Sequence, residues 1–342
     1  MEFTTWIGKS ATIHETDIPP SWSGIKYPPN FAKDFNLNPK ETISLLKQTE
    51  KYFSLENSSE IGPFLFFCNN LSPVAITNFY MLNQRDIQSL YYFFFSSPIL
   101  DYTCIQDAAR MLISRIALPN DIKIIQIIIE AFSNAYLCSN QYASESVSDI
   151  SKLILAAIIF SLSVRNKNNT SLPQDQFLAL VDSVHASKKF IVSFYNSLKN
   201  SPIPIFFTFA NFEKEPNDQK CGQLKQVGGI FKKKSNMYFK INNNELQSFR
   251  DQEMTDFHGG IELQGTYVQF VTSNSKESAL FTIRRFDNQP FGYKIKKMQR
   301  KQRKKNVYML SGSSDEDTKQ WCDLLQFTIF YLDLLNFAKT LS

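Results

Sequence analysis

Metal-ligating and nucleophilic side chains are scarce in this sequence. Its 342 residues include three histidines, each isolated, and five cysteines, Cys68, Cys104, Cys138, Cys221 and Cys322, no two of them at metal-ligand spacing. That excludes the common zinc motifs. An odd, scattered set of thiols reads as reduced cysteines of a cytoplasmic protein rather than a disulfide framework. No glycine-rich phosphate loop and no Ser–His–Asp pattern is found. Long hydrophobic runs are missing too: the longest, Leu153 to Phe160, falls far short of the ~20 residues a bilayer span needs. No apolar stretch follows a basic N-terminus, so no signal peptide is expected.

What is present suits a globular chain of two domains. Hydrophobic residues make up 43 % and charged residues 20 %, and phenylalanine is abundant at 31. The net charge of +5 is local: Tyr293 to Lys305 holds eight basic residues and no acidic one, and without them the chain is net negative. Such a run fits an anionic membrane, a solvated hairpin or nucleic acid. A nucleic-acid surface would interleave aromatics for stacking, and Tyr293 is the one aromatic there, so nucleic acid is not expected as a partner.

Two periodicities divide the chain. Residues 1–30 carry Pro19, Pro20, Pro28 and Pro29 without sustained periodicity and are expected to be a flexible tail. From Asn38 the pattern is helical, with Asn38, Pro39 and Glu41 set out as N-cap, first helical residue and capping-box partner, and Ser72–Pro73 repeating the idea. Further helices are predicted near 84–95, 103–116, 122–138, 147–164, 173–183 and 186–199. In 122–138, Lys123, Gln126, Glu130 and Ser133 form a narrow polar stripe on an otherwise apolar helix, which must therefore be surrounded by others. After "SPIPIFF" the period changes to short strands: "GQLKQVG", "NMYFKIN", "ELQSFRD", "GIELQG", "TYVQFVT", "ALFTIRRF" and "VYMLSGS", with a turn at Asn242–Asn244. A helix with an acidic first turn closes the chain and aligns Trp321, Leu324, Leu325 and Leu332 on one face. The fold class expected is multidomain: an all-α domain followed by a β-barrel with a C-terminal helix.

Several segments, in order, resemble the cytohesin type of Arf exchange factor, a Sec-seven domain followed by a pleckstrin homology domain. "FNLNPKETISLL" is similar to the family's opening helix. "LPNDIKIIQIIIEAFSNAYLCSN" resembles its Leu-Pro-Gly-Glu turn, following helix and Tyr-x-x-x-Asn end. "FIVSFYNSLKNSPIPI" matches its last helix. "CGQLKQVGGIFKKKSNMYFKINNNELQSF" is similar, without gaps, to the first three pleckstrin strands, and "VYMLSGSSDEDTKQW" to the last strand and signature tryptophan. The resemblance covers about residues 33–335. It implies a Sec-seven-like domain at 31–200, a linker at 201–220 and a pleckstrin homology-like domain at 221–339.

The same resemblance implies nucleotide exchange on an Arf-type small GTPase, with GDP and magnesium carried by the partner and no cofactor required of this chain. In the family, a glutamate after Leu-Pro-Gly enters the GTPase nucleotide site. Asp121 stands there, with Asn120 in place of the glycine, so the carboxylate reaches about 1.5 Å less far. On residue pattern alone Asp121 is also an ordinary N-cap. Leu118, Pro119, Asn120, Phe160, Leu162 and Asn166 are the expected GTPase groove. Leu162 replaces an asparagine and Asn166 a histidine of the family's second motif. The lipid-binding side departs as well: Gln226, Ser235, Asn236 and Met237 hold the positions of the family's basic head-group ligands. Basic charge remains at Lys225, Lys232, Lys233, Lys234, Lys294, Lys296, Lys297, Arg300 and Lys301, implying peripheral attachment to an anionic or phosphoinositide-containing membrane. A module that keeps both folds and binds a GTPase or membrane without catalysing exchange is the other reading, and a structural adaptor using the long aromatic C-terminal helix a third.

Overall fold

The computed structural model describes residues 27–48, 58–82, 87–95, 104–140, 145–165, 172–209, 220–226, 236–242, 244–271, 279–296 and 299–341. The chain divides into two compact units, Met1–Val164, Ser171–Asn211 and Ala338–Ser342 in the first, and Arg165–Thr170 and Phe212–Phe337 in the second.

The first unit is helical. Its helices are α1 (Phe31–Leu37), α2 (Pro39–Gln48), α3 (Ser58–Phe67), α4 (Pro73–Leu82), α5 (Ile87–Phe95), α6 (Ile105–Ile113), α7 (Ile122–Ser139), α8 (Val147–Arg165), α9 (Gln174–Leu180) and α10 (Lys188–Asn200). The apolar helices predicted at 122–138 and 147–164 are α7 and α8. Both are long and apolar enough to cross a membrane by length and composition, yet every residue from Leu153 to Ser163 is buried inside this unit. At α2 the capping pair closes between side chains: the Asn38 amide donates to the Glu41 carboxylate at 2.5 Å. The hydrophobic pattern of the sequence does not set α1 and α3 apart. α1 lies close before Pro39, and α3 carries Pro63, which reads as a helix breaker, so propensity hides both. Phenylalanine explains how α1 and α3 are held: the Phe31 ring packs edge-on against Phe64 at 5.0 Å. Tyr27, expected in the tail, stacks on Phe31 at 5.7 Å and donates its hydroxyl to the Phe64 carbonyl at 2.9 Å.

The second unit is a nine-stranded antiparallel sheet and one long helix. Its strands are β3 (Cys221–Gln226), β4 (Asn236–Asn242), β5 (Glu245–Phe249), β6 (Phe257–Glu262), β7 (Thr266–Val271), β8 (Leu280–Arg285), β9 (Tyr293–Lys296), β10 (Gln299–Gln302) and β11 (Val307–Ser311). The order is β10-β9-β6-β5-β4-β3-β11-β8-β7. Leu224, Phe239, Leu246 and Ile261 from one half share a core with Val268, Phe281, Ile283 and Leu310 from the other, so the sheet closes on itself. The helix α11 (Asp315–Thr340) adds Trp321, Cys322, Leu325 and Ile329 to that core, with Leu332 packed against it. The face that meets the sheet therefore runs through Cys322 and Ile329, and Leu324, expected on it, is buried outside this cluster. Lys220 lies 5.4 Å over the Trp321 ring and Gly222 faces it, so α11 covers the end of the barrel where β3 begins. This is the pleckstrin homology architecture the sequence led one to expect. β9 and β10 add to the seven strands that the sequence predicts. Their alternation is masked because nearly every polar position is a lysine, arginine or glutamine.

Candidate functional site

The acidic turn is built from three sides. Ala117–Leu118 forms a short strand, β1, parallel to Phe206–Phe207, β2. Thr208 N–H donates to the Leu118 carbonyl at 3.1 Å. Residues 201–207, expected as the start of the linker, thus belong to this unit, and Ile203 and Ile205 are buried in it. On the other side the buried Thr77 hydroxyl of α4 donates to the Ala117 carbonyl at 2.8 Å and accepts from the Ala117 N–H at 2.9 Å. Behind the turn Arg115 is buried over the Phe66 ring at 5.0 Å and donates to the Cys68 carbonyl at 3.3 Å. Burial lowers its pKa to about 10, which leaves it charged at neutral pH, and pushes the Cys68 thiol up to about 12, which makes that thiol a weak nucleophile.

From this anchored base the chain turns outward. Leu118 and Pro119 are buried, and Asn120 and Asp121 are exposed. Asp121 has extended φ and ψ of −146° and 109°, and its Oδ1 accepts from Lys123 N–H at 2.9 Å. The capping role is therefore real: one orphan donor of α7 is satisfied. Its other oxygen, Oδ2, has no hydrogen bond among the described residues, and the positive end of the α7 dipole lies beneath it. At the far end of α7 the Asn140 amide donates to the Tyr136 carbonyl at 2.9 Å, a physical reason for the Tyr-x-x-x-Asn spacing.

α7 and α8 are joined by a hydroxyl pair, Ser133 and Ser151, 3.0 Å apart. The N-terminus of α8 is a reciprocal box: Ser146 N–H and Oγ donate to Asp149 at 3.0 and 2.8 Å, and Asp149 N–H donates back to Ser146 Oγ at 3.1 Å. Asp149 also accepts from His185 N–H at 3.1 Å. Burial raises its pKa, and these hydrogen bonds outweigh burial and hold the carboxylate at about 2. At the C-terminal end of α8, Ser161 Oγ accepts from Ile203 N–H at 2.9 Å and Ser163 Oγ from Leu172 N–H at 3.0 Å. These serines flank Leu162 and tie down the backbone where the family's asparagine is missing. Periodicity does not single out Thr77, Ser161 and Ser163. Their signal in the sequence is a hydroxyl within an otherwise apolar helix, which must find a partner when buried.

Of the expected groove residues that are described, Asn120 alone presents surface, beside Asp121. Leu118, Phe160 and Leu162 have 0 % exposure. Phe160 packs edge-on against Phe177 of α9 and Tyr195 of α10 and is part of the core. Asn166, Lys232, Lys233, Lys234 and Lys297 lie outside the described residues. Next to the turn, Ile124 and Ile127 of α7 join Thr77, Tyr80 and Met81 of α4 around an apolar depression.

The basic run folds as the β9–β10 hairpin. Gly292 before it has φ +81°, and a Cβ there would meet the Tyr308 hydroxyl at 2.6 Å, so only glycine lets the chain leave the barrel at this point. The register pairs Lys296 with Gln299 and Lys294 with Lys301. Directly paired residues share a face, so Lys294, Lys296 and Lys301 project together and all three are exposed. Arg300 falls on the opposite face with Tyr293. Its guanidinium lies 3.6 Å over that ring and bridges Glu245 at 3.2 Å and Glu262 at 2.5 Å. Burial, then the hydrogen bond to Glu245, raise the Tyr293 hydroxyl to about 12.

Comparison with known proteins matches residues 29–203 to the family model described as the Sec7 domain. The chain is similar to human Cytohesin-2, 24 % identical over 335 residues that cover 91 % of this chain and 81 % of the relative. It is similar to the crystal structure of the Sec7p catalytic domain, at 18 % identity and TM-score 0.45, over 51 % of this chain and 97 % of that one. It is also similar to the ORP8 PH domain, at 14 % identity and TM-score 0.27, over 32 % of this chain and 93 % of that one.

Proposed function

The chain belongs to the Sec7 domain family, and we propose that it is a guanine-nucleotide exchange factor for an Arf-type small GTPase, working at an anionic membrane surface on the cytoplasmic side. The observation that carries the reading is Asp121: an exposed carboxylate on an anchored turn, at the N-cap of α7. An exchange factor of this kind makes and breaks no covalent bond. It binds the GTPase and replaces ligands of the nucleotide. A carboxylate brought beside the GTPase phosphates repels them and competes for the magnesium and lysine that hold GDP, both of which belong to the partner. Asp121 carries the charge for this on a side chain about 1.5 Å shorter than glutamate, so exchange is expected to be slow, because placement errors of that size in a phosphate site cost rate steeply. Asn120 and the buried floor of Leu118, Pro119, Phe160 and Leu162 would set the turn's height, and Asn166 would border it.

Membrane recruitment is read from charge. Lys294, Lys296 and Lys301 form one exposed cationic face, and Lys225, Lys232, Lys233, Lys234 and Lys297 add to the same barrel's basicity. Each lysine near an anionic surface contributes up to ~1 kcal/mol. The second reading, a module that binds a GTPase or membrane without exchange, is favoured by one observation: Asp121 already uses one oxygen to cap α7. Release of fluorescent GDP from an Arf-type GTPase, with and without the chain and with anionic vesicles, separates the two. Acceleration supports exchange. Stable binding without acceleration supports the inactive module.

A further inference from the structure

The nine-stranded sheet ends in two edge strands, β7 and β10. An edge strand turns every second backbone N–H and carbonyl outward, where a further strand can bond them. On β7 those groups are covered. Phe286 N–H donates to the Gly265 carbonyl at 3.2 Å, so by alternation Tyr267 and Gln269 bond β8 while Thr266, Val268 and Phe270 turn their backbone groups outward. α11 lies over this edge: the Gln326 side-chain amide donates to the Val268 carbonyl at 3.3 Å, and Gly265 N–H donates to Asp333.

On β10 the same groups are open. Arg303 N–H donates to the Gly292 carbonyl at 3.0 Å. The register pairs Lys301 with Lys294 and Gln299 with Lys296, so by alternation these residues also bond β9, and Arg300 and Gln302 turn N–H and carbonyl away from it. All four residues of β10 are exposed, and among the described residues none bonds the outward groups of Arg300 and Gln302.

Charge decides what fits there. Arg300 is answered by Glu245 and Glu262, whereas Lys294, Lys296 and Lys301 make no ion pair among the described residues. A second copy of β10 laid along this edge would set Arg300 and Lys301 against their own counterparts, and like charges facing across strands are unfavourable. The cations thus guard the edge against self-association and leave it open to a strand of opposite sign. A guest residue opposite Lys301 lies on the lysine face, and guest residues two apart share that face. The matching segment is therefore extended, with acidic side chains at every second position. Lipid heads and nucleic acid supply negative charge but not the alternating N–H and carbonyl groups of a strand.

We propose that the outer edge of β10 binds an acidic, extended segment of a partner protein by adding it to the sheet as a further strand. Arg300 and Gln302 supply the backbone bonds, and Lys301 supplies the charge. The proposal goes beyond the membrane reading and does not rest on it, because its defining contacts are backbone groups at the edge.

The test titrates the full chain, by fluorescence anisotropy, with a short labelled peptide that alternates glutamate and valine. A lysine–valine peptide and an oligothymidylate serve as comparisons. Amide hydrogen exchange, read by NMR, locates the contact. Gln302→Pro removes an outward donor and is compatible with an edge strand, where proline is tolerated if its nitrogen faces solvent. Gln302→Ala loses the same side-chain bond to the Pro290 carbonyl but keeps the N–H. The expected result is saturable binding of the acidic peptide, none of the lysine–valine peptide, and amide exchange at Arg300 and Gln302 slowed about tenfold or more at saturation. Gln302→Pro should weaken binding by about fivefold or more, the scale of one hydrogen bond, and Gln302→Ala by less than about twofold. No saturable binding, unchanged exchange at both amides, or equal loss in Gln302→Pro and Gln302→Ala overturns the proposal. If the acidic peptide and the oligothymidylate bind alike, both lost with Lys301→Gln and both kept with Gln302→Pro, the surface is one of charge alone and the proposal is overturned too. If Gln302→Pro fails to fold, the amide exchange of the unsubstituted chain decides.

Discussion

Thr77 and Ala117 exchange two hydrogen bonds, the threonine hydroxyl taking the place of a strand partner for both the N–H and the carbonyl of one residue. That single contact, four residues before Asp121, ties the acidic turn to α4. Thr77→Val should therefore cost about 2–4 kcal/mol, since it leaves two buried backbone groups without partners. Thr77→Ser keeps the hydroxyl and should cost about 1 kcal/mol or less. Chemical denaturation measures both. Equal losses would mean that the methyl group, not the hydroxyl, matters there.

At Asp121 capping and charge can be separated. Asparagine caps about as well as aspartate, so Asp121→Asn should leave the unfolding midpoint nearly unchanged while GDP release falls to the unassisted rate. Asp121→Glu restores about 1.5 Å of reach and should speed release. A chain whose GTPase binding is intact but whose exchange stays nil with glutamate would be a binding module.

On the hairpin, the pleat sorts the basic residues by role. Changing Lys294, Lys296 and Lys301 together to glutamine should weaken binding to phosphatidylserine-rich vesicles by about 100-fold, from ~1 kcal/mol per lysine. Wild-type binding should fall steeply as salt is added. Arg300→Gln should change vesicle binding less than about threefold but lower the melting temperature, because Arg300 serves Glu245, Glu262 and Tyr293. Equal effects on vesicle binding would show that the two faces are not distinguished.

Two carboxyls give opposite pH signatures. Asp333 on α11 is half-buried, and burial raises its pKa to about 6 against the hydrogen bond from Gly265. The folded state then holds its proton more tightly than the unfolded chain, so stability falls as pH rises from about 4 through 6. Asp333→Asn should raise the melting temperature at pH 7 and leave it unchanged near pH 4. Asp149, held at about 2, has the other sign. Its contribution is present above the unfolded pKa of about 4 and is lost as pH falls toward 2, so the gap between wild type and Asp149→Asn should close in acid. A gap that persists at pH 2 would assign the effect to packing.

The polypeptide between the two units should be the first cut by a protease. Limited digestion is expected to give fragments ending near 200–220, and the ordered segment through Phe207 favours the later part of that window. Early cleavage within 120–165 would place the boundary elsewhere.

The order of the two architectures was legible because periodicity is local. An apolar helix with one polar stripe, or a strand alternating in and out, betrays its neighbours' chemistry without naming them. Asp121 could be picked out for the same reason, since a proline turn before an apolar helix is a local pattern. Pairing was not legible. Nothing near Thr77 in sequence says that its hydroxyl meets Ala117, forty residues on. Nothing in the run from Tyr293 to Lys305 says which cations face solvent and which one answers Glu245 and Glu262. Those outcomes depend on strand register and on where burial removes water, and both are set only when distant segments meet.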